Sequence, residues 1–219
     1  GRSGGRSRRR GRGRRPAGRS SEASSPTSAP VEDSSPGSVR RTERPREPVP
    51  AVPSAVVDPD APLFDSLGLS AATLEAVHRA GYSQPTPVQA GLIPRAITGI
   101  DVLGQARTGT GKTAAFVLPI LERMAVEPAG KPGVRALIMV PTRELAVQVR
   151  DEFEKLAHGS GVHCVAVYGG KPIKSQIDKL ARHPQVVVGT PGRVLDHMSR
   201  GTLDFRALEI VTLDEADRM

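Results

Sequence analysis

The segment Ala106-Arg107-Thr108-Gly109-Thr110-Gly111-Lys112-Thr113 combines small residues with one lysine and a closing hydroxyl. A loop of the form G-x-x-x-x-G-K-S/T turns backbone N–H groups onto phosphates, sends its Lys to the outer phosphates and gives its hydroxyl to Mg²⁺. Gly109, Gly111, Lys112 and Thr113 fit that form, and Ala106 stands where the general pattern has Gly. The bland alternative is a Gly-rich turn between a strand and a helix. Far downstream, Asp214-Glu215-Ala216-Asp217 follows the strand-like Ile210-Val211-Thr212-Leu213. There one carboxylate, Asp214, can hold Mg²⁺, while its neighbour Glu215 can position or deprotonate an attacking water. Two acids after a strand are common in loops, so it is the pairing with the Lys112 loop that points to a triphosphate site.

Such groups act together only if strands deliver them to one edge. From Leu63 onward, the patterns predict helices near 70–80, 87–98, 112–124, 143–157, 173–181 and 192–200, with strands at 101–105, 134–140, 162–168, 185–189 and 209–213. Runs such as Ala136-Leu-Ile-Met-Val140 and Val186-Val-Val188 are apolar throughout, as burial on both faces of a sheet requires. Alternating strands and helices predict an α/β fold with a mainly parallel sheet. Ligands then gather at the carboxyl ends of the strands. The phosphate loop is expected to leave the 101–105 strand and open a helix, whose N-terminus favours anions.

Charge is unevenly spread. Residues 1–50 carry thirteen Arg and five acids, whereas the remainder carries eighteen basic and eighteen acidic side chains. Residues 1–62, Arg-rich and then rich in Ser, Pro, Ala and Glu, read as a disordered tail, because so few apolar groups cannot offset the entropy of ordering. The Arg block suits phosphate backbones through counterion release, or serves only as a solvated tail. Residues 63–219 read as one domain. Cys164, the single cysteine, excludes an internal disulfide and reads as a packed side chain within a strand. The five histidines lack metal-cage spacing. With no apolar run of spanning length and no secretory leader, a soluble, cytoplasmic protein is expected.

The segment from about Phe64 to Met219 resembles the first RecA-like domain of a DEAD-box ATP-dependent RNA helicase, a P-loop NTPase fold. Phe64 precedes Gly81-Tyr-Ser-Gln-Pro-Thr-Pro-Val-Gln89, which is similar to the family's adenine-reading Q motif. Ala106 to Thr113 resembles the family's own phosphate loop, in which Ala takes the first position. Pro141-Thr-Arg-Glu-Leu-Ala146, Gly169-Gly170 and Thr190-Pro-Gly-Arg193 resemble its RNA-backbone motifs, and Asp214 to Asp217 spells the name motif.

The resemblance implies ATP and Mg²⁺ as cofactors and RNA as partner. Gln89 is expected to read adenine, since an amide can donate to and accept from its N7/N6 edge, with Tyr82 or Phe64 packed near the base. Thr86-Pro-Val-Gln89 is equally a helix capping box, so Gln89 has two possible uses. For RNA, Arg143 and Arg193 would supply charge and Thr142 and Thr190 hydroxyls. Gly169, Gly170 and Gly192 would let a strand approach closely, although each also suits a plain turn. Contacts to phosphates and 2′-OH groups prefer RNA while reading little base identity.

The family's next motif and its second RecA-like domain, with its arginine fingers, are expected beyond Met219. By itself the stretch is therefore expected to hydrolyse ATP very weakly and not to unwind RNA, with an incomplete sheet. An ATP-gated RNA clamp and a DNA translocase are the competing readings of the parent protein.

Overall fold

The computed structural model describes residues 62–106, 109–126 and 133–219. The tail reading falls on residues outside these, as do the expected phosphate contacts Arg107 and Thr108.

Among the described residues four strands form the sheet: β1 (Ala136–Met139), β2 (Cys164–Val167), β3 (Val186–Gly189) and β4 (Ile210–Leu213). All neighbours are parallel and the order is β2-β3-β1-β4. Six helices of the described residues accompany them: α1 (Ala71–Arg79), α2 (Pro87–Ile97), α3 (Lys112–Val126), α4 (Arg143–Leu156), α5 (Ile173–Leu180) and α6 (Pro191–Ser199). Short 3-10 turns lie at Phe64–Leu67 and Ala216–Arg218.

β1, β2 and β3 are buried on both faces, as their composition predicts, whereas β4 alternates half-buried with exposed. Ile138, Val186 and Val188 join one core with Val77 of α1, Ile93 of α2, Leu118 of α3 and Phe153 of α4. Leu137 and Val187, alternating with them, join the other with Leu180 of α5 and Val194 of α6. The period-two alternation of a strand feeds two helical layers from one run of Val, Ile and Leu. Cys164 is buried in the first core, and its thiol is held well above its ordinary pKa chiefly by that burial. Among the described residues, no helix is long and apolar enough to cross a membrane.

The parallel register sets the functional edge. Met139 stands level with Gly189 on one side and Leu213 on the other, and Val167 stands level with Gly189. The residue after three of the strands continues the ladder: Val140 N–H donates to Gly189 C=O at 3.0 Å, Thr190 N–H to Val167 C=O at 3.1 Å and Asp214 N–H to Met139 C=O at 3.0 Å, whereas after β2 the Tyr168 N–H donates to the Gln176 side chain at 3.1 Å. Four loops therefore leave the sheet at one level.

One expected element differs. Residues 101–105 form no strand, and Leu103 is 101% exposed. A strand needs a neighbour to take its N–H and C=O groups. Among the described residues the sheet ends at β4, where Val211 (56%) and Leu213 (59%) stand exposed, and the 101–105 segment does not pair with it. It lies instead against α2, where a side chain on Gly104 would meet Leu92 Cδ1 at 2.8 Å.

Candidate nucleotide and nucleic-acid site

The phosphate loop takes a shape that its glycines permit. Gly109 and Gly111 have φ of 80° and 82°, in the left-handed region that other residues enter at a cost. At Gly111 a side chain would also run into the Gln89 amide. Lys112 then opens α3 with Thr113 beside it, so the loop passes directly into a helix N-terminus. A cleft of about 680 Å³ between α2 and residues 100–106 reaches Ala106 and Thr110. That volume is within the usual range for a small-molecule site.

The Asp214 backbone is fixed to β1, and its carboxyl is buried. Burial raises its pKa, while the Lys112 ammonium pulls it back down. The charge of the phosphate-loop lysine thus reaches the carboxylate at the end of β4, and the two halves predicted from far-apart sequence share one field. Glu215 sits in the left-handed region (φ 51°, ψ 46°), which is uncommon for a non-glycine residue and turns the chain sharply off the strand. Its Oε2 accepts from Arg218 Nη1 at 2.8 Å. The i, i+3 spacing of Glu215 and Arg218 was the available sequence signal for that pair, which motif reading passed over.

Gln89 realises its helix-start role. It is fully buried: Oε1 accepts Thr86 N–H at 2.9 Å and Nε2 donates to Gly111 C=O at 3.0 Å. Its amide therefore ties α2 to the phosphate loop, and one N–H and one oxygen lone pair of that amide are not used by these two bonds. Thr86 faces the Gln89 backbone as the other arm of the capping box, but its Oγ1 makes no full hydrogen bond; it is buried and stands on the cleft wall. Phe64 is 2% exposed and packs edge-on to Tyr82, with centroids 6.1 Å apart. It offers no face to a base and instead supports Tyr82. The Tyr82 hydroxyl donates to Glu152 of α4 at 2.5 Å, and Lys155 Nζ lies 5.2 Å from its ring centre. Burial first, then Glu152, holds the Tyr82 pKa far above its usual value.

The remaining expected residues gather on the loops after β1, β2 and β3. Thr142 caps α4, its Oγ1 accepting Leu145 N–H at 3.2 Å, which leaves the hydroxyl proton to donate elsewhere. Arg143 is exposed and leans over Gly170, whose notional Cβ would lie 3.1 Å from Arg143 Nη1. Gly170 has φ of 78° and needs its glycine for that reason alone. Side chains added at Gly169 or Gly192 would meet nothing of the protein. Thr190 caps α6 without using its hydroxyl. Arg193 is only 14% exposed; its Nη1 donates to Lys171 C=O at 3.1 Å, and its Nε lies 3.8 Å from Asp196. Arg143 is thus exposed, with its Nε donating to the neighbouring Glu144 carboxylate at 2.6 Å, whereas Arg193 is largely covered and bonded to Lys171.

Residues 86–219 match the DEAD/DEAH box helicase family. The chain belongs to that family. It is 48% identical over 156 residues to the DEAD-box ATP-dependent RNA helicase CshA of Geobacillus kaustophilus (strain HTA426), a match covering 71% of this chain and 33% of that protein. It also superposes on the RNA helicase Prp28 of Chaetomium thermophilum, solved bound to ADP, with a TM-score of 0.68 and 39% identity over 74% of this chain and 40% of that one. The described sheet and helices form a RecA-like helicase domain. The chain spans about a third of the length of the CshA relative.

Proposed function

We propose that this chain carries the ATP- and RNA-binding half of an ATP-dependent RNA helicase, a protein that remodels duplexes as it hydrolyses ATP. The observation that carries this reading is the level register of the four strands, with the Lys112 charge reaching Asp214 across that edge. One edge then holds a phosphate loop, two carboxylates and three loops suited to a nucleic-acid backbone.

In this reading the triphosphate lies along the Gly109–Lys112 backbone, with the Lys112 ammonium against its outer phosphates. A hydroxyl and a desolvated carboxylate are an all-oxygen donor set that a hard divalent cation suits. Thr113 and Asp214 would hold Mg²⁺, which when bound neutralises charge on the phosphate oxygens. Glu215 orients the attacking water, and Arg218 fixes its carboxylate until then. Thr86 Oγ1, buried and unpartnered beside the cleft, is a polar group suited to an edge of the base or ribose.

RNA runs over Thr142, Arg143, Gly169, Gly170, Thr190 and Gly192, held by charge and hydroxyls and by close approach at the two open glycines. Arg193 joins by turning away from Lys171. The Arg-rich tail adds a salt-sensitive, sequence-blind attraction.

RNA and DNA strands of equal sequence, titrated into the chain with a non-hydrolysable ATP analogue, test the reading. Tighter binding of RNA is expected, and Arg143→Ala should weaken it and lower the salt slope by about 1. Equal affinity for the two, untouched by Arg143→Ala, would contradict it.

A further inference from the structure

Two loops of the RNA face, Gly169-Gly170 and the start of α6, are joined beneath the surface by side chains to which no step so far has given a role. Gln176 of α5 is buried, and its amide pairs with both polar groups of Tyr168, the residue before the glycines. Oε1 accepts Tyr168 N–H at 3.1 Å and Nε2 donates to Tyr168 C=O at 3.0 Å. In effect the amide extends β2 by one residue and fixes where the glycine turn begins. His197 of α6, fully buried, places Nε2 3.4 Å from the same Oε1 and Nδ1 2.8 Å from Thr202 Oγ1.

The roles within this chain are determined by its first link. Tyr168 N–H requires Oε1 as its acceptor, so His197 can meet that oxygen only as a donor, with its proton on Nε2. Nδ1 is then an acceptor for the Thr202 hydroxyl. Burial, together with Arg193 and Arg200, lowers the His197 pKa against the pull of Asp196, which keeps the ring neutral and this pattern intact.

At the surface the same two loops are joined again, by Arg193 Nη1 on Lys171 C=O at 3.1 Å. That outer link is the one a phosphate would compete for, since it occupies the guanidinium proposed for RNA. We propose that Gln176 and His197 are positioning residues for RNA: a buried Tyr168–Gln176–His197 brace holds the glycine turn and the α6 start at fixed spacing when Arg193 leaves Lys171 for a phosphate. This rests on the RNA reading of the face. Without the brace, releasing Lys171 would free the glycine turn, and RNA binding would carry the cost of ordering it.

The test uses the whole 219-residue chain, followed by amide NMR so that Gly169, Gly170 and Gly192 report locally while an oligouridine is added. His197→Phe is the cleaner variant. It removes the donor at similar volume, leaves Gln176 Oε1 with Tyr168 N–H, and leaves the Thr202 hydroxyl with the residue-197 carbonyl, 3.1 Å away. Loss of one hydrogen bond of ordinary net worth corresponds to about three- to tenfold in Kd. His197→Phe should weaken RNA by that much, Gln176→Leu by more, and His197→Gln, which can still donate to Oε1, should recover most of the loss. ATP-analogue affinity should stay unchanged in all three, which general destabilisation would not allow. Arg143→Ala serves as the control for the face. If it weakens RNA while His197→Phe binds like the parent, the brace is overturned alone. Should Arg143→Ala have no effect, the RNA face falls and the brace with it.

Discussion

Asp214 shows at the residue scale how a site can be held against folding stability. Its raised folded-state pKa means that the folded chain binds the proton more tightly than the unfolded one. The fold is therefore favoured while the group is protonated, and stability is lost as pH rises from the ordinary Asp range through the raised value. At neutral pH the charged, buried carboxylate is a net cost. Asp214→Asn should then raise Tm at neutral pH and not below the Asp range, while abolishing Mg²⁺-dependent nucleotide binding. A lower Tm at neutral pH would contradict the burial argument. Gln89 works in the opposite sense, because both ends of its amide are satisfied. Gln89→Leu would strand Thr86 N–H and Gly111 C=O at a cost of about 1–3 kcal/mol each way of counting, which urea unfolding would read. The sequence allowed Gln89 two uses and could not choose between them, since the choice depends on how near Gly111 comes in space. Lys112, Asp214 and Glu215 could be proposed from the sequence because the chemistry expected of them needs fixed neighbours along the chain. Arg218 was signalled by its i, i+3 spacing from Glu215, whereas the Thr86 hydroxyl and the His197 brace were not legible, because each is defined by a contact that spacing alone does not specify.

Elements carried the clearest sequence signals where a cap and a periodic face coincided. Thr142 ends the loop after β1 and starts α4 in one step, with its hydroxyl on Leu145 N–H and Glu144 in the first turn. That dual use predicts a dual loss. Thr142→Ala should cost about 1 kcal/mol of stability through the missing cap and weaken RNA as well. Thr142→Ser should restore both, and a variant that lost stability yet bound RNA unchanged would confine Thr142 to capping. Helix and strand positions followed from period and from fully apolar runs such as Val186-Val187-Val188, buried on both faces. The exception, residues 101–105, has strand-like residues without a strand partner. Composition marks a segment fit to pair, and only the sheet decides whether a neighbour is present.

For the molecule as a whole, the parallel register converts separate motifs into one edge. Val167, Gly189, Met139 and Leu213 end level, so a one-residue slip of any strand would displace its loop from the others and turn its core residues to the opposite layer. The proposed function and the folding thus rest on the same alignment. The measurement that reaches this most directly is titration of the chain with a fluorescent ATP analogue and Mg²⁺, competed in turn by ATP and GTP, alongside Lys112→Ala and Asp214→Asn. Displacement by unlabelled nucleotide, with binding lost in both variants, is what a shared Lys112 and Asp214 edge beside the α2 cleft predicts, and a preference for ATP over GTP would report contacts to the base. Binding that survives either substitution would mean that the two halves do not act on one nucleotide.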